Sequence, residues 1–317
     1  MLSTPWSRNI GLRVPIVNAP MGGVAGGRLA AAVSAAGGLG MVGMGSAGSV
    51  PSLTTELAHV AGKFGIGLVD WVFRKEPGLL EAALAAQPML LSVSFGADWS
   101  WVDQAHDAGI VTATQIYSSA EASRAQDAGV DVLVARGAEG GGHGDVRVAT
   151  LPLLDAVLDA VSVPVLAAGG IASPRSLAAV LAAGASGAWL GTCLSACSEA
   201  LTSDGARRAL ITADETDTVT TRVFDVGRQR PWPARFPSRV LDNDYLTHWT
   251  GREAALAADP AARAELTAGI AGDDTRIAPV DAGQGVAMVT AVTPAGQVIE
   301  QLCAGAEKLL TGWGAAD

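Results

Sequence analysis

The sequence predicts an α/β fold: a (β/α)8 barrel of the TIM type with a helical cap inserted after the eighth strand. The prediction rests on eight short apolar runs, on the helix-length segments between them, and on a more polar texture after the eighth run. Short, nearly continuous apolar runs are typical of parallel strands buried on both faces. A doubly wound sheet shows the same alternation, but eight units in roughly 200 residues match what a closed barrel requires.

The runs are separated by alanine-rich segments that end in Ala-Gly, as in "SAAGGLGMVG" and "DAGVDVLVARG". Glycine just after a helix is a preferred left-handed cap, so each such phrase predicts a helix end followed at once by a buried strand. In chain order the runs are "PIVNAP" (15–20), "GLGMVG" (38–43), "FGIGLV" (64–69), "MLLSVSF" (89–95), "IVTATQI" (110–116), "VDVLVARG" (130–137), "VPVLAAGG" (163–170) and "GAWLGT" (187–192).

Beyond the eighth strand, residues 206–282 are more polar and include the helical pattern "GREAALAADPAARAELTAG". We expect this segment to form a helical cap, or substrate domain. The barrel would then comprise residues 1–205 and 283–317, because the final stretch "TPAGQVIEQLCAGAEKLLTGW" has the periodicity of a helix that packs back on the barrel.

The charge balance argues against several classes of partner. The 317 residues include 31 acidic and 21 basic ones, a net charge of −10, with no run of lysines or arginines. Such a chain is poorly suited to nucleic acid or to an anionic membrane surface. No stretch of membrane-spanning length and no signal peptide are visible, so we expect a cytoplasmic protein. The three cysteines are an odd and sparse set, which fits buried, reduced thiols and no metal site.

Two glycine-rich loops follow the seventh and eighth predicted strands. "AGGIASP" leads into a helix that Ser173 can cap and Pro174 can begin, and "GT" leads from the eighth strand into "CLSACSEAL". Exposed backbone N–H groups at such turns bind phosphate, and barrels often carry a phosphate site after strands seven and eight. The glycines could serve only tight turns, but two adjacent loops at these strands favour a phosphate group.

The loop after the sixth strand reads "ARGAEGGGHGD" (135–145) and holds one of the four histidines. His143 can take or give a proton near neutral pH, because an unperturbed imidazole has a pKa of about 6.5. It could instead merely hold its loop in place; we favour the chemical role because the loop stands at the catalytic end of the barrel. His59 and His106 fall within helical segments, and His248 in the cap fits a pocket or local packing equally well.

"GMGSAG" (43–48) matches the G-x-G-x-x-G fingerprint of dinucleotide-binding folds. The overlapping "GLGMVG" fits the same pattern inside the predicted strand, and Pro51 intervenes before the helix. We therefore do not expect a Rossmann-type site here.

Several segments together resemble the nitronate monooxygenase family, once called 2-nitropropane dioxygenases. They are "NAPMGGVAGGRLAAAVSAAGGLGMVG", "GAEGGGHG", "PVLAAGGI" and "GAWLGT", with "PSRVLDN" and "AGQGVAMV" nearer the end. The resemblance spans nearly the whole chain and implies an FMN-dependent oxidoreductase that converts alkyl nitronates or nitroalkanes and O2 to carbonyl compounds and nitrite. Close relatives are flavin-dependent enoyl reductases, so an enoyl-thioester (enoyl-ACP) reductase that uses NAD(P)H is the alternative.

The resemblance also implies roles for matching positions. His143 would be catalytic and would face a small-molecule substrate, a nitronate or another small apolar anion. The residues that would bind FMN are Pro20, Met21, Gly22, Gln115, Arg136, Gly141, Gly142, Gly169, Gly170, Gly191 and Thr192. The loop glycines would let the backbone approach the flat flavin ring. No metal ion is expected, and a homodimer is compatible with this interpretation.

Three positions depart from the family pattern. Arg136 stands where the family usually has a glutamine that contacts FMN, Gly67 where asparagine is frequent, and Gln115 where some members have lysine. A cation at Arg136 would favour anionic reduced flavin, unless it pairs with Glu139. These departures bear on the substrate more than on the cofactor.

Overall fold

The computed structural model describes residues 2–312. They form the strands β1 (Ile16–Asn18), β2 (Gly40–Gly43), β3 (Phe64–Val69), β4 (Leu90–Ser94), β5 (Val111–Ile116), β6 (Val132–Arg136), β7 (Gly142–His143), β8 (Val165–Ala168), β9 (Gly187–Leu190), β10 (Thr218–Thr221) and β11 (Ser238–Leu241). Eight of these make a parallel sheet in the order β1-β9-β8-β6-β5-β4-β3-β2. A parallel bridge between Val17 and Leu39 closes the ring. Each predicted run contains one barrel strand, so the predicted barrel is confirmed.

The helices alternate with the barrel strands and then continue into the cap. Ser173 Oγ accepts a hydrogen bond from the Ser176 N–H at 3.2 Å and Pro174 begins α9, which confirms the predicted helix start. No helix of the described chain is long and apolar enough to span a membrane. The helices are α1 (Pro5–Asn9), α2 (Gly27–Ala35), α3 (Val50–Leu57), α4 (Asp70–Phe73), α5 (Leu79–Ala85), α6 (Trp101–Asp107), α7 (Ser119–Asp127), α8 (Thr150–Leu158), α9 (Pro174–Ala182), α10 (Thr192–Ser195), α11 (Asp204–Thr212), α12 (Val223–Gly227), α13 (Asp244–Trp249), α14 (Glu253–Ala258), α15 (Pro260–Ala271) and α16 (Ala295–Gly312).

Two layers of apolar side chains hold the barrel strands. On β6, Val132 and Val134 pack in the barrel interior, whereas Leu133 and Ala135 pack in the layer between the strands and the outer helices. This alternation is the period of two that a β-strand imposes on its side chains. A fully buried aliphatic side chain contributes about 1.5–3 kcal/mol relative to an exposed one. The carboxyl ends of the strands are therefore fixed by packing on both faces.

The segment after β9 combines helices α11 to α15 with two strands. β10 pairs with β11, and β11 pairs with β7, the two-residue strand that contains His143. The cap is thus not helical throughout, since the β-branched run "TVTT" favours a strand over a helix. A separate apolar cluster that includes Phe224, Tyr245 and Trp249 holds this segment. We keep residues 206–282 as the proposed cap; Met1 and residues 313–317 of the proposed barrel lie outside the described residues.

Candidate active site

A cavity of about 590 Å³ opens at the carboxyl ends of the barrel strands, between the barrel and the cap. This is the end at which TIM-type barrels carry their active sites, and the volume is typical of small-molecule sites. The structure brings together all the residues singled out from the sequence, which line this cavity: Pro20, Met21, Gly22, Gln115, Arg136, Gly141, Gly142, His143, Gly169, Gly170, Gly191 and Thr192.

The side of the cavity next to β8 and β9 is built from backbone. Gly169 and Gly170 have φ angles of +112° and +69°, which residues with a Cβ rarely adopt. Within the described chain, the amide N–H groups of Gly169, Gly170 and Gly191 donate to no protein acceptor. Thr192 Oγ1 accepts a hydrogen bond from the Gly283 N–H at 2.9 Å, which ties the returning chain to this rim. The unpaired amides are available to an anion such as a phosphate.

Close backbone contacts shape the wall formed by the first three strands. A Cβ added at Gly22 would lie 2.5 Å from Gly45 Cα. Gly45, the second glycine of "GMGSAG", therefore packs closely against the first loop. A Cβ added at Gly67 would lie 2.2 Å from Pro20 Cβ. A side chain at Gly67 would therefore displace Pro20, and this departure from the family pattern is coupled to the position of the first loop.

His143 has two close partners, and both come from the cap. Its Nε2 lies 2.9 Å from Asp225 Oδ1, and its ring stacks on Trp232 with 3.7 Å between centroids and 10° between planes. We assign the proton of this contact to Nε2, because an ionised carboxylate can only accept hydrogen bonds. Nδ1 makes no hydrogen bond within the described chain. The ring nitrogen that remains for chemistry is therefore Nδ1.

An aromatic cluster surrounds Trp232, the ring that stacks on the histidine. Phe95 packs against Trp232 and Phe236 at centroid distances of 4.9 and 5.3 Å, and Trp71 packs against Trp232 at 5.4 Å. Phe95 has a φ of +72°, a conformation that is costly for a bulky residue and that often marks functional sites. The cluster limits the access of water to His143.

Arg235 fastens the loop that carries Trp232 to the barrel. Its Nη2 lies 2.8 Å from Glu121 Oε2 and its Nε 3.0 Å from Asp145 Oδ2. Its guanidinium also lies over the ring of Tyr117, 5.6 Å from the centroid. Two carboxylates and an aromatic face together hold one planar guanidinium in a fixed orientation.

Of the two alternatives for Arg136, the ion pair with Glu139 is not formed. The Glu139 carboxylate instead accepts hydrogen bonds from Thr150 N and Oγ1, at 2.8 and 2.6 Å. Arg136 Nη2 donates to the carbonyl oxygens of Gly140 and Gly141, at 2.8 and 3.1 Å. Burial lowers the pKa of the Arg136 guanidinium from its ordinary value.

The sequence comparison decides the family. A model of the nitronate monooxygenase family matches residues 4–64 and 75–305. The chain belongs to the nitronate monooxygenase family. This membership makes it an oxidoreductase.

The proteins to which this chain is similar include two named for nitro compounds and one named for a CoA substrate. A solved nitroalkane oxidase from Streptomyces ansochromogenes is 30% identical, with a TM-score of 0.81 over 97% of this chain and 100% of that one. A nitronate monooxygenase from Paraburkholderia phytofirmans is 30% identical, over 78% of this chain and 89% of the relative. A (3aS,4S,5R,7aS)-5-hydroxy-7a-methyl-1-oxo-octahydro-1H-indene-4-carboxyl-CoA dehydrogenase from Rhodococcus jostii is 31% identical, over 77% of this chain and 67% of the relative.

The remaining nucleophiles and histidines lie apart from this chemistry. Cys193, Cys197 and Cys303 are buried, and burial raises the pKa of each thiol to about 12, which leaves no reactive thiolate near neutral pH. No three His, Cys, Asp or Glu side chains of the described chain are grouped to hold a metal ion. His248 packs on Trp249 at 4.9 Å and does not line the cavity.

Sequence reasoning missed Asp225 and Trp232, the two partners of His143. Asp225 stands in "RVFDVG", and an acid between apolar residues of a short helix is a signal of a buried carboxylate that needs a partner. Trp232 stands between two prolines in "RPWP", where no periodic pattern points to a site.

Proposed function

We propose that this enzyme binds FMN in the cavity and oxidises alkyl nitronates and neutral nitroalkanes with O2 to a carbonyl compound and nitrite. The observation that carries the proposal is the His143 imidazole, which lines the cavity with Nε2 bound to a buried carboxylate and Nδ1 free. A ring nitrogen held in this way suits removal of a proton from the carbon next to a nitro group. The family membership supports the same chemistry.

The cavity residues fit FMN on two counts. The unpaired amides of Gly169, Gly170 and Gly191 suit a phosphate group. Met21 and Gly22 give an uncharged wall suited to a flavin ring. The chemistry that FMN supplies when bound is electron transfer between the nitronate and O2.

The protein's own part in the reaction is the handling of one proton. Asp225 holds a proton on Nε2 of His143, and Nδ1 accepts the α-proton of a neutral nitroalkane. The Asp225 carboxylate then stabilises the imidazolium that forms. A preformed nitronate needs no such step, and for this substrate the protonated ring donates a hydrogen bond to the nitro oxygens. Trp232 and Phe95 exclude water and contact the alkyl part of the substrate.

Anaerobic absorption spectroscopy of the purified enzyme tests this function. We expect a yellow protein whose flavin absorbance is bleached by propionate 3-nitronate alone, before any nicotinamide is added. A colourless protein that FMN cannot reconstitute would overturn the cofactor assignment. Bleaching by NADPH but not by the nitronate would overturn the oxidation of nitronates.

One observation favours a second candidate, the FMN-dependent reduction of enoyl thioesters by NAD(P)H. Arg228 is exposed, lines the cavity and makes no salt bridge or side-chain hydrogen bond within the described chain. An unpaired cation at this rim suits the phosphates of an acyl-CoA or acyl carrier protein, and the Rhodococcus relative is named for a CoA substrate. If this candidate is right, Arg228→Gln raises KM for an enoyl-CoA and leaves KM for ethylnitronate unchanged.

A further inference from the structure

Arg136 ends β6, and its guanidinium lies inside the loop that carries His143. Nη2 donates to the carbonyl oxygens of Gly140, Gly141 and Gly142, at 2.8, 3.1 and 3.0 Å. The residue is only 5% exposed and makes no salt bridge in the described chain. Buried charges are normally paired with an opposite charge. Here three carbonyl oxygens of one loop accept hydrogen bonds from Nη2 instead, and Nη1 has no hydrogen-bond partner within the described chain.

Two of the loop glycines leave space for this guanidinium. A Cβ added at Gly144 would lie 2.3 Å from Nη1 and 2.4 Å from Cζ of Arg136, and one added at Gly140 would lie 2.8 Å from Nε. At both positions the three nearest atoms all belong to Arg136. Neither glycine has a positive φ, so their backbone conformation alone does not require glycine. The glycine-rich sequence is thus explained in part by the arginine that it surrounds.

The outer side of the same loop is held by the cap. Gly142 and His143 pair with Arg239 and Ser238 of β11. The Gly144 N–H donates to the Pro237 carbonyl oxygen at 3.1 Å. The His143 backbone is therefore supported from inside by a guanidinium and from outside by a strand.

We propose that Arg136 is a positioning residue, which sets the His143 backbone and thereby the approach of Nε2 to Asp225. Nη2 is the nitrogen that carries the loop contacts; Nη1 is buried beside Gly144 and has no hydrogen-bond partner within the described chain. The kinetic part of this proposal rests on the proposed function. The structural part of the proposal concerns the tautomer and the position of the His143 ring, and it is independent of the proposed function.

A set of four variants and one control tests the proposal: Arg136→Leu, Arg136→Lys, Gly144→Ala, the double variant Arg136→Leu with Gly144→Ala, and Arg207→Gln. Arg207 is the matched control, because its Nη2 donates to the carbonyl oxygens of Cys197 and Ala200 in another loop. The ring is observed by NMR of protein labelled with ¹⁵N-histidine, which reports whether Nε2 of His143 carries a fixed proton. Kinetics with neutral nitroethane and the bound FMN content complete the measurements.

For Arg136→Leu, which removes every donor of the guanidinium, we expect the His143 Nε2–H signal to broaden or divide between tautomers. Misplacement of a catalytic group by about 1 Å can cost on the order of 10²-fold in rate, so kcat for nitroethane should fall by that order while KM and FMN content change little. Arg136→Lys should restore part of kcat, because an ammonium still donates to the loop carbonyls. Arg207→Gln should keep both the signal and kcat.

The double variant gives the sharpest outcome. Gly144→Ala alone should reproduce the loss of kcat, because its methyl group displaces the guanidinium. In the Arg136→Leu background it should add little, since the shorter side chain leaves that space free. Losses that multiply in the double variant would overturn the proposal, as would a sharp Nε2–H signal and wild-type kcat in both single variants. If Arg136→Leu does not fold, Arg136→Lys and Gly144→Ala carry the test. The NMR signal is recorded without substrate, so failure of the proposed oxidation leaves this result interpretable.

Discussion

The two sides of the cavity present different groups to a ligand, backbone amides on one side and side chains on the other. Next to β8 and β9, the groups that face the ligand are backbone amides of Gly169, Gly170 and Gly191, all from short strand-to-helix turns. Around His143, the groups are side chains from distant parts of the sequence, with Asp225 82 positions away. The backbone side suits a phosphate that is the same in every turnover. The side-chain side is where proton transfer and substrate choice are set.

The strongest test of the side-chain side is Asp225→Asn. An amide can donate to Nε2, which would leave the proton on Nδ1 and remove the base. Since general-base catalysis contributes about 10²–10⁴-fold, we expect kcat for neutral nitroethane to fall by that factor with FMN content unchanged. Steady-state kinetics check this, with Asp204→Asn, whose native side chain is 83% exposed, as the control. Unchanged turnover in Asp225→Asn would show that the carboxylate does not set the tautomer.

The backbone side is tested by Gly170→Ala. The φ of +69° costs about 1–2 kcal/mol for a residue with a Cβ, and the added methyl would lie 3.2 Å from Glu139 Cβ. We expect lower stability of the FMN-free protein and weaker FMN binding, measured by thermal unfolding and by fluorescence titration. Gly109→Ala is the control, because Gly109 has a φ of +72° but nothing within 4 Å of an added Cβ. Equal FMN affinity in the two variants would speak against a phosphate at Gly170.

A smaller effect is expected for Trp232→Leu, which removes the ring stacked on His143. Aromatic stacking contributes about 0.5–1.5 kcal/mol beyond burial, so kcat/KM for nitroethane should fall by a corresponding several-fold factor. Trp249→Leu removes a buried tryptophan from the apolar cluster of the cap and should lower stability without this kinetic loss. The two variants together separate the stacking contact from general loss of packing. Equal kcat/KM for nitroethane in the two variants would show that stacking of Trp232 on His143 has no kinetic role.

The smallest expected effect is on the free energy of unfolding at low pH, through the contact between Arg235 and Asp145. Burial opposes ionisation of Asp145, but hydrogen bonds from Arg147 and Arg235 outweigh it and hold the pKa of this carboxyl below its usual value. A depressed pKa stabilises the fold above the unfolded pKa of about 3.9, and that contribution is lost as the pH falls through the folded pKa. Denaturant unfolding at neutral pH and below pH about 4 should therefore show a steeper decline for the wild type than for Arg235→Gln. Parallel declines would exclude this contribution.

The same contrast explains what the sequence could predict. The barrel strands and the turns after β8 and β9 follow from local signals, namely apolar runs, Ala-Gly helix ends and a Ser-Pro helix start, and these local features recur in the structure. Asp225 and Trp232 escaped prediction because their contacts with His143 depend on how the cap folds over the barrel. Arg136 was singled out from the sequence, but the sequence left its contacts open between the flavin and Glu139. Its guanidinium turns into its own loop, where carbonyl oxygens are closer than any carboxylate.

The most direct test of the account compares two substrates in His143→Ala. FMN content, turnover of neutral nitroethane and turnover of preformed ethylnitronate are measured in this variant and in the wild type. If His143 is the base, FMN content should be equal, turnover of nitroethane should fall by a factor on the order of 10² or more, and turnover of ethylnitronate should fall much less, because only the neutral substrate requires a base. Equal losses with both substrates, or no loss with either, would contradict the assignment of His143 as the base.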